Sequence, residues 1–237
     1  MANALTDEGL ARFDEVVAGE VGKVPGLAAL VSCGEEVHVA TAGSLTLGGP
    51  EVRRDSLWRI ASTTKPITGV AVMALIGEGL LSLDEPVARL LPELAEPRVL
   101  RRMDAPLDDT VPAVRPITVR DLMTFTFGFG MTMEMFTASE PWPVVKAEST
   151  LGIGAIGPPD PEQKPDPDTW MAKLGSLPLI TQPGERWLYN TGTLVLGVLA
   201  ARAAGIPFAD LLRDRIFEPL GMRDTAFFAA DSSRLRI

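Results

Sequence analysis

Strand-forming sequence is confined to residues 26–62, and helix-forming sequence dominates afterwards. This order of strands before helices limits the folds that the chain can adopt. The segments "GLAALVSC" and "EEVHVATAG" are rich in β-branched residues and meet at a Gly34-Glu35 turn, which predicts a β-hairpin. The segment "SLWRIAS" predicts a third short strand. Apolar residues recur at helical spacing through most of the remaining chain. We therefore expect an α+β protein (an α/β sandwich), although three short strands make a small sheet for so many helices.

Helices are predicted on both sides of these strands. An amphipathic helix should open the chain, and a second should cover "TKPITGVAVMALIGEG" and stop at its glycines. Thr118 is the predicted cap of a helix in "ITVRDLMTF", and two more helices are predicted in "TGTLVLGVLAARAAG" and "FADLLRDRIFEPLG". Residues 128–168 are rich in methionine and proline and should form a long excursion that is not regular throughout.

Composition excludes several classes of function. The net charge of −9 argues against nucleic acid as a partner, since phosphate binding needs a basic surface. Cys33 is the only cysteine and His38 the only histidine, so an internal disulfide and a two-histidine metal site are excluded. His38 alternates with valines in the predicted hairpin, which favours an exposed strand residue over a member of a catalytic triad.

The amino-terminal sequence lacks the basic start and apolar run of a secretory signal. No apolar segment is long enough to span a membrane. We therefore expect a cytoplasmic protein with no membrane partner.

Ser62 and Lys65 form the only S-x-x-K motif in the chain. One interpretation is a helix cap followed by a solvated lysine. The other is a nucleophile with its base, because residues i and i+3 share a helix face and the helix amino terminus stabilises negative charge. In the second interpretation the Ser62 N–H would serve as an oxyanion donor. The motif by itself leaves the two interpretations about level.

Tyr189 favours the catalytic interpretation. It is the only tyrosine in the chain and directly precedes a predicted helix. A buried core tyrosine is the alternative. A phenol beside a lysine can, however, exchange a proton with a serine, and Tyr189-Asn190 at a loop-to-helix junction could project into a cleft.

A second motif is rejected. "GIGAIG" matches the dinucleotide-binding fingerprint, but "KAEST" before it and a proline-rich run after it replace the required strand and helix. We expect these glycines to serve a flexible loop.

Five segments occur in a recognisable order: "STTK", "GEGLLSLDEPVARLLPEL", "ITVRDLMTFTFGFG", "QPGERWLYNTGTLVLGVLAARAAG" and "IFEPLGMRDTAFF". Together they resemble the serine hydrolases of the class C β-lactamase, D-alanyl-D-alanine peptidase and esterase family. The resemblance implies a β-lactamase/transpeptidase-like fold, in which an antiparallel sheet flanked by helices carries an inserted, mainly helical domain and the active site lies between them. We expect residues 1–61 in the sheet domain, 62–185 in the helical domain with its loop at 128–168, and 186–237 returning towards the first.

The resemblance also implies site residues. Ser62 would be the nucleophile that forms an acyl-enzyme, Lys65 and Tyr189 would act as the general base, and no metal or organic cofactor is implied. Asn190 and Thr191 would contact the substrate, although this chain has Thr191 where the family usually has asparagine. Apart from the resemblance, we expect Met131 and Trp142 to contact the substrate in an acyl-binding wall, because flexible apolar residues suit varied ligands. The alternative for these two is packing under a long loop.

The departure at Thr191 favours esters over amides, so we expect an esterase acting on small carboxylic esters. The partner would be a small-molecule ester or amide. Two alternatives stay open: a β-lactamase or D-Ala-D-Ala peptidase, and a non-catalytic binding protein on a decayed hydrolase scaffold.

Family members continue past "LGMRDT" into strands that carry a Lys- or His-x-Gly motif, which this chain does not reach. We therefore expect a chain that lacks its carboxy-terminal strands: a fragment, a natural truncation, or one piece of a nicked molecule. Such a chain could pair with a complementing carboxy-terminal segment. Loss of one oxyanion donor costs about a hundred- to a thousandfold in rate, so we expect this chain alone to be impaired.

Overall fold

A computed structural model of the chain describes residues 5–156, 165–229 and 232–235. The chain divides into two compact units. The first comprises Met1–Ala61 and Asp224–Ile237, and the second comprises Ser62–Arg223.

The first unit contains the predicted opening helix and hairpin. Helix α1, Asp7–Gly19, begins at Thr6, whose hydroxyl accepts the Gly9 N–H at 3.2 Å. Strands β1, Gly26–Cys33, and β2, Glu36–Gly43, pair antiparallel in one register throughout. The turn between them needs a glycine, because Gly34 has a φ of 59°. The predicted opening helix and the predicted hairpin are both confirmed.

His38 lies on β2 as predicted but is less exposed than expected. Its Nε2 lies 2.6 Å from Oδ1 of Asp14 on α1, and its side chain is 29% exposed. The ring also packs edge-on against Phe13. His38 therefore ties the hairpin to α1, within the first unit.

The predicted third strand is wrong. Residues 56–62 form no strand, and Leu57 makes only an isolated bridge with Leu235. Within the described ranges no partner strand lies beside this segment, so a β-ladder cannot satisfy its backbone. The segment ends instead in a 3₁₀ helix, Ala61–Thr63.

The second unit is mainly helical and holds most of the apolar core. Helix α2 spans Thr64–Gly77, and a small sheet follows, made of β3, Arg98–Leu100, and β4, Thr110–Pro112. The later helices are α3, Val119–Met123; α4, Met133–Thr137; α5, Pro143–Leu151; α6, Pro167–Gly175; α7, Thr191–Ala204; and α8, Phe208–Leu212, which continues as a π-helical turn, Arg213–Phe217. Helices α2, α3 and α8 all pack against α7.

The helix predictions for α2, α3, α7 and α8 are confirmed. Thr118 caps α3 with its hydroxyl, and Asp121 returns the bond by accepting the Thr118 N–H at 2.9 Å. The described part of the excursion at 128–168 contains α4, α5 and the start of α6, with irregular segments around α4 and α5, and residues 157–164 lie outside the described residues. Part of the "GIGAIG" segment is well anchored, because Ile153 and Ala155 are fully buried, whereas its last glycine lies outside the described residues.

One boundary between the two units lies between Ala61 and Ser62. The domain ranges expected from the sequence stay a prediction. Residues 186–223 belong to the second unit, because α7 supplies a buried face to its core. The first unit resumes only at Asp224.

In the part of the chain that the structure describes, no single helix is long and apolar enough to cross a membrane. By length and composition alone, the bent pair Thr191–Ala204 and Phe208–Phe217, which meet at 82°, passes the same test together.

Candidate active site

Ser62 lies in the 3₁₀ turn that precedes α2, and Lys65 lies in the first turn of α2. The Lys65 Nζ donates a hydrogen bond to Ser62 Oγ at 3.0 Å. The cap position of α2 belongs to Thr63, so the Ser62 hydroxyl does not serve as the helix cap. The preceding residue, Ala61, has a φ of 42°, which is costly for a residue with a Cβ and typical of strained functional turns.

Tyr189 reaches the same hydroxyl from a distant part of the chain. Its Oη donates to Ser62 Oγ at 2.9 Å, so this oxygen accepts two hydrogen bonds. Lys65 Nζ also lies 4.7 Å from the centroid of the phenol ring. The three predicted catalytic residues are therefore in direct contact.

The pKa of the Tyr189 phenol lies below its ordinary value. The hydrogen bond with Ser62 is the main cause, and Lys65 lowers the pKa further through hydrogen bonding and its charge, against the opposing effect of burial. A phenol with a lowered pKa is deprotonated more often near neutral pH and is then a competent base.

The Tyr189 ring is held by two other aromatic side chains. Trp187 stacks on it with centroids 5.6 Å apart, and Phe125 lies 6.0 Å away at an interplanar angle of 31°. Phe125 has a φ of 60°, an unusual conformation for a bulky residue. Its carbonyl accepts the Leu188 N–H at 2.8 Å, which holds Phe125 beside the Tyr189 segment. Sequence reasoning missed Phe125 and Trp187, since no local pattern signals a positive φ or a stacked ring.

The main chain of Tyr189 is paired with Met131 by two hydrogen bonds, of 2.8 and 2.9 Å. This pairing requires glycine at position 130, because a Cβ there would lie 2.6 Å from the Tyr189 carbonyl oxygen. The glycine of the "FGFG" segment thus permits the close approach of two strands of chain at the site.

Residues 189–191 form a tight turn that ends the approach to α7. Asn190 has φ 80° and ψ −61°, and the Thr191 N–H donates to the Tyr189 carbonyl at 3.2 Å, which together define a strained γ-turn. Asn190 Nδ2 and Thr191 Oγ1 both donate to the Ala155 carbonyl, at 3.2 and 3.3 Å. Thr191, one of the substrate-binding residues expected from the sequence, is fully buried in this structure.

A cavity of about 640 Å³ lies beside Tyr189, within the usual size range of small-molecule pockets. Its lining is mostly apolar and consists of Met131, Thr132, Met133, Glu134, Phe136, Arg186, Trp187 and Tyr189. Met131 thus lines a cavity beside Tyr189. Trp142 does not line this cavity and packs, partly buried, against the apolar core.

The charged residues in the cavity wall neutralise each other. Arg186 forms an ion pair with Glu134, which also accepts a hydrogen bond from the Thr132 hydroxyl. The hydrogen bond from Thr132 and the proximity of Arg186 hold the pKa of Glu134 below its usual range, so this carboxylate stays ionised. The wall therefore offers an apolar surface with one ion pair, in which Arg186 and Glu134 neutralise each other.

Metal binding finds no support in the described ranges, where no three histidine, cysteine, aspartate or glutamate residues are grouped to hold an ion.

Comparison with known proteins gives one family match and several relatives. A family model described as Beta-lactamase matches residues 13–237. Esterase EstB of Burkholderia gladioli is 35% identical over 189 residues, which are 80% of this chain and 43% of EstB. Lovastatin esterase of Penicillium rubens is 30% identical over 226 residues, or 92% of this chain and 52% of that enzyme. The chain thus spans about half the length of these relatives.

Among solved structures, EstCE1, a hydrolase with promiscuous acyltransferase activity, aligns with a TM-score of 0.75. The identity is 24%, and the alignment covers 98% of this chain and 57% of EstCE1. This likeness shows a shared fold and confirms the fold class predicted from the sequence.

Proposed function

The chain belongs to the Beta-lactamase family, and we propose that it is a serine hydrolase which forms an acyl-enzyme on Ser62. The observation that carries the proposal is the pair of hydrogen bonds that Ser62 Oγ accepts from Lys65 and Tyr189. A serine hydroxyl is a weak nucleophile unless an adjacent group takes its proton. Tyr189 can take that proton once its own phenol has ionised, and the Lys65 ammonium favours that ionisation.

The reaction follows from these contacts. With Tyr189 as a phenolate stabilised by the Lys65 ammonium, Ser62 Oγ attacks the ester carbonyl carbon and its proton passes to Tyr189. The tetrahedral intermediate collapses, the C–O bond to the alcohol breaks, and Tyr189 returns the proton to the leaving alkoxide. Water then attacks the acyl-enzyme while Tyr189 accepts a proton, and Ser62 recovers that proton as the carboxylic acid leaves. The sum is one ester and one water converted to one acid and one alcohol.

The proposed substrates are small carboxylic esters with an apolar group. The cavity beside Tyr189 supports this, because its one ion pair is internal and leaves an apolar surface for the substrate. The proposal is also supported by two relatives that are named as esterases. Met131 and the exposed side chain of Trp187 would contact the apolar group, and Asn190 would remain at the edge of the site.

Acyl transfer to an alcohol is the second candidate function. An apolar cavity beside the proposed acyl-enzyme would bind an alcohol in competition with water. The structural likeness to EstCE1, whose description includes acyltransferase activity, supports testing it. With an excess of a short alcohol, the transferase would form a new ester, whereas a strict hydrolase would release only the acid.

The experiment that tests the main proposal is an intact-mass measurement after brief exposure to p-nitrophenyl butyrate. We expect the mass to increase by one butyryl group in the wild-type chain and in Ser32→Ala, which removes an exposed strand serine. The increase should vanish in Ser62→Ala. An adduct that persists in Ser62→Ala, or the absence of any adduct in the wild type, would contradict the proposal. Faster acylation by a penicillin than by the ester would favour the β-lactamase or peptidase alternative.

A further inference from the structure

Glu148 is a buried carboxylate that the proposed mechanism does not use. It lies on α5, is 2% exposed, and accepts hydrogen bonds from the main-chain N–H groups of Ala155 and, at 3.1 Å, Ile156. Among the described residues no cation forms an ion pair with it. Burial of a carboxylate is costly unless it is hydrogen-bonded, so the two N–H groups and Glu148 hold each other firmly in place.

The peptide unit between Ala155 and Ile156 joins Glu148 to the turn after Tyr189. Its N–H donates to Glu148, and its carbonyl accepts from Asn190 Nδ2 and Thr191 Oγ1. Hydrogen bonds at the two ends of one peptide polarise each other and strengthen the chain of contacts.

The loop that carries this peptide is itself anchored. Gly152 ends α5 in the left-handed conformation, with a φ of 65°. The Trp170 indole N–H donates to the Ile153 carbonyl at 2.8 Å, and Lys173 Nζ donates to the Leu151 carbonyl at 2.8 Å. The Ala155 carbonyl is therefore presented to the turn from a fixed support.

The turn needs such a support because its conformation is unfavourable. Asn190 has a φ of 80°, and a strained turn persists only where the surrounding structure determines it. The two side-chain hydrogen bonds to the Ala155 carbonyl supply that constraint directly after Tyr189. If the turn relaxed, the main chain of Tyr189 would rotate and its hydroxyl would leave Ser62.

We propose that Glu148 is a positioning residue, which holds Tyr189 against Ser62 through the Ala155–Ile156 peptide and the turn at Asn190. This inference rests on the proposed function for its effect on rate, but its geometric part is independent of any reaction. No substrate contact is assigned to Glu148.

The test uses the fact that Tyr189 is the only tyrosine in the chain. Its ionisation can be followed alone, by tyrosinate absorbance during a pH titration or by one ¹³C-labelled tyrosine resonance. In the wild type we expect a pKa below the ordinary phenol value, in agreement with its contacts. In Glu148→Ala we expect the pKa to rise towards the ordinary value and the rate of Ser62 acylation to fall by about 10- to 100-fold, as for a misplaced catalytic group. Glu148→Gln keeps one acceptor oxygen, so its Tyr189 pKa and its acylation rate should lie between those of Glu148→Ala and the wild type.

Thr191→Val provides a second variant in case Glu148→Ala fails to fold. It has nearly the same shape and removes only the hydroxyl, which donates to the Ala155 carbonyl. We expect a rise in the Tyr189 pKa smaller than in Glu148→Ala. The double variant Glu148→Gln, Thr191→Val should show less than the sum of the two single effects, because both act through one peptide.

Glu93→Gln is the matched control. It weakens the ion pair between Glu93 and Arg202 in the same unit but has no link to Ala155. We expect it to lower stability and leave the Tyr189 pKa unchanged. A folded Glu148→Ala protein with a wild-type Tyr189 pKa would overturn the inference, and so would a folded Thr191→Val protein with that pKa if Glu148→Ala does not fold. A shifted Tyr189 pKa in a chain whose Ser62 is never acylated would instead uphold the positioning role and refute the proposed function.

Discussion

The reactivity that we propose for Ser62 depends on two side chains at very different distances along the chain. Lys65 lies one helical turn away, and its contact follows from local geometry. Tyr189 lies 127 residues later and reaches the hydroxyl only because the chain folds back. The lysine also acts on the phenol, so removal of Lys65 changes two groups at once.

The first prediction concerns Lys65→Met. Lys65 lowers the pKa of Tyr189, so without it the phenol should ionise at higher pH. A base acts only when deprotonated, so the acylation rate should rise with pH through the Tyr189 pKa, and the rise should occur at more alkaline pH in the variant. Near neutral pH we expect a loss of about 10²- to 10⁴-fold. The measurement is the rate of Ser62 acylation across a pH series.

Lys146→Met is the control for this prediction, because Lys146 is an exposed lysine on α5 that pairs with Glu140. It should keep the wild-type pH profile. If Lys65→Met also keeps that profile, Tyr189 does not depend on the lysine, and the proposed general base would need revision.

At the scale of elements, the short helix α3 illustrates how polar contacts replace length. Five residues cannot hold a helix by propensity, but Thr118 and Asp121 satisfy each other's main chain in a capping box. Arg115 adds two hydrogen bonds to the Asp121 carboxylate, at 2.6 and 2.8 Å. This arrangement sets the start of the segment that leads to Phe125, whose ring lies beside that of Tyr189.

The second prediction concerns Asp121→Asn. Burial alone would raise the pKa of Asp121, but the hydrogen bonds from Arg115 and Thr118 outweigh it, and the net pKa is lowered. Asparagine keeps the shape and removes the charge, so we expect the free energy of unfolding at neutral pH to fall by about 1–3 kcal/mol. Urea denaturation followed by circular dichroism measures this.

The sign of the pH dependence provides a further check. A carboxylate with a lowered folded-state pKa contributes stability above its unfolded pKa and loses it as the pH falls through the folded value. The difference between wild type and Asp121→Asn should therefore shrink in acid. Asp84→Asn, which removes an exposed partner of Arg120, should change stability far less. If Asp121→Asn and Asp84→Asn lower the free energy of unfolding equally, the buried position of Asp121 does not make its ion pair more stabilising than the exposed one.

At the scale of the whole molecule, the two units differ in how much apolar surface they bury. The second unit has a continuous core in which fully buried side chains include Phe127, Phe129, Leu122 and Leu199. In the described part of the first unit, the buried apolar residues are Val17, Ala40, Leu45 and Val52. Several apolar residues of its hairpin region are exposed, among them Leu30 and Val37.

The third prediction follows from this difference. Regions with few buried contacts open at lower free energy than a dense core. We expect main-chain amides of α7, between Val195 and Ala200, to exchange with deuterium more slowly than those of β1 and β2. Native-state hydrogen exchange with peptide-level mass spectrometry gives both rates in one sample. Equal protection in the hairpin and α7 would mean that the two units open together.

The contact between Ser62 and Lys65 was predictable because an i,i+3 spacing is a local property of a helix. The sequence could only propose Tyr189 as their partner, because its contact with Ser62 spans 127 residues and exists only in the folded chain. Met131 lines the cavity beside Tyr189, whereas Trp142 packs against the apolar core and Thr191 is buried. These placements depend on what packs around each side chain and not on its neighbours in sequence.

The sequence by itself determined the hairpin and the long helices, since periodicity and turn residues are local properties of a chain. The three catalytic groups were proposed from the motif and the family resemblance, and their roles stay a prediction. Only the tertiary structure decided that residues 56–62 form no strand, because a strand exists only when another strand supplies its hydrogen bonds. The tertiary structure also decided the left-handed backbone conformation of Phe125 and the strained turn at Asn190. It decided as well the hydrogen bonds that connect this turn to Glu148. These features depend on contacts between residues far apart in sequence, where packing outweighs the preference of any one residue for its own conformation.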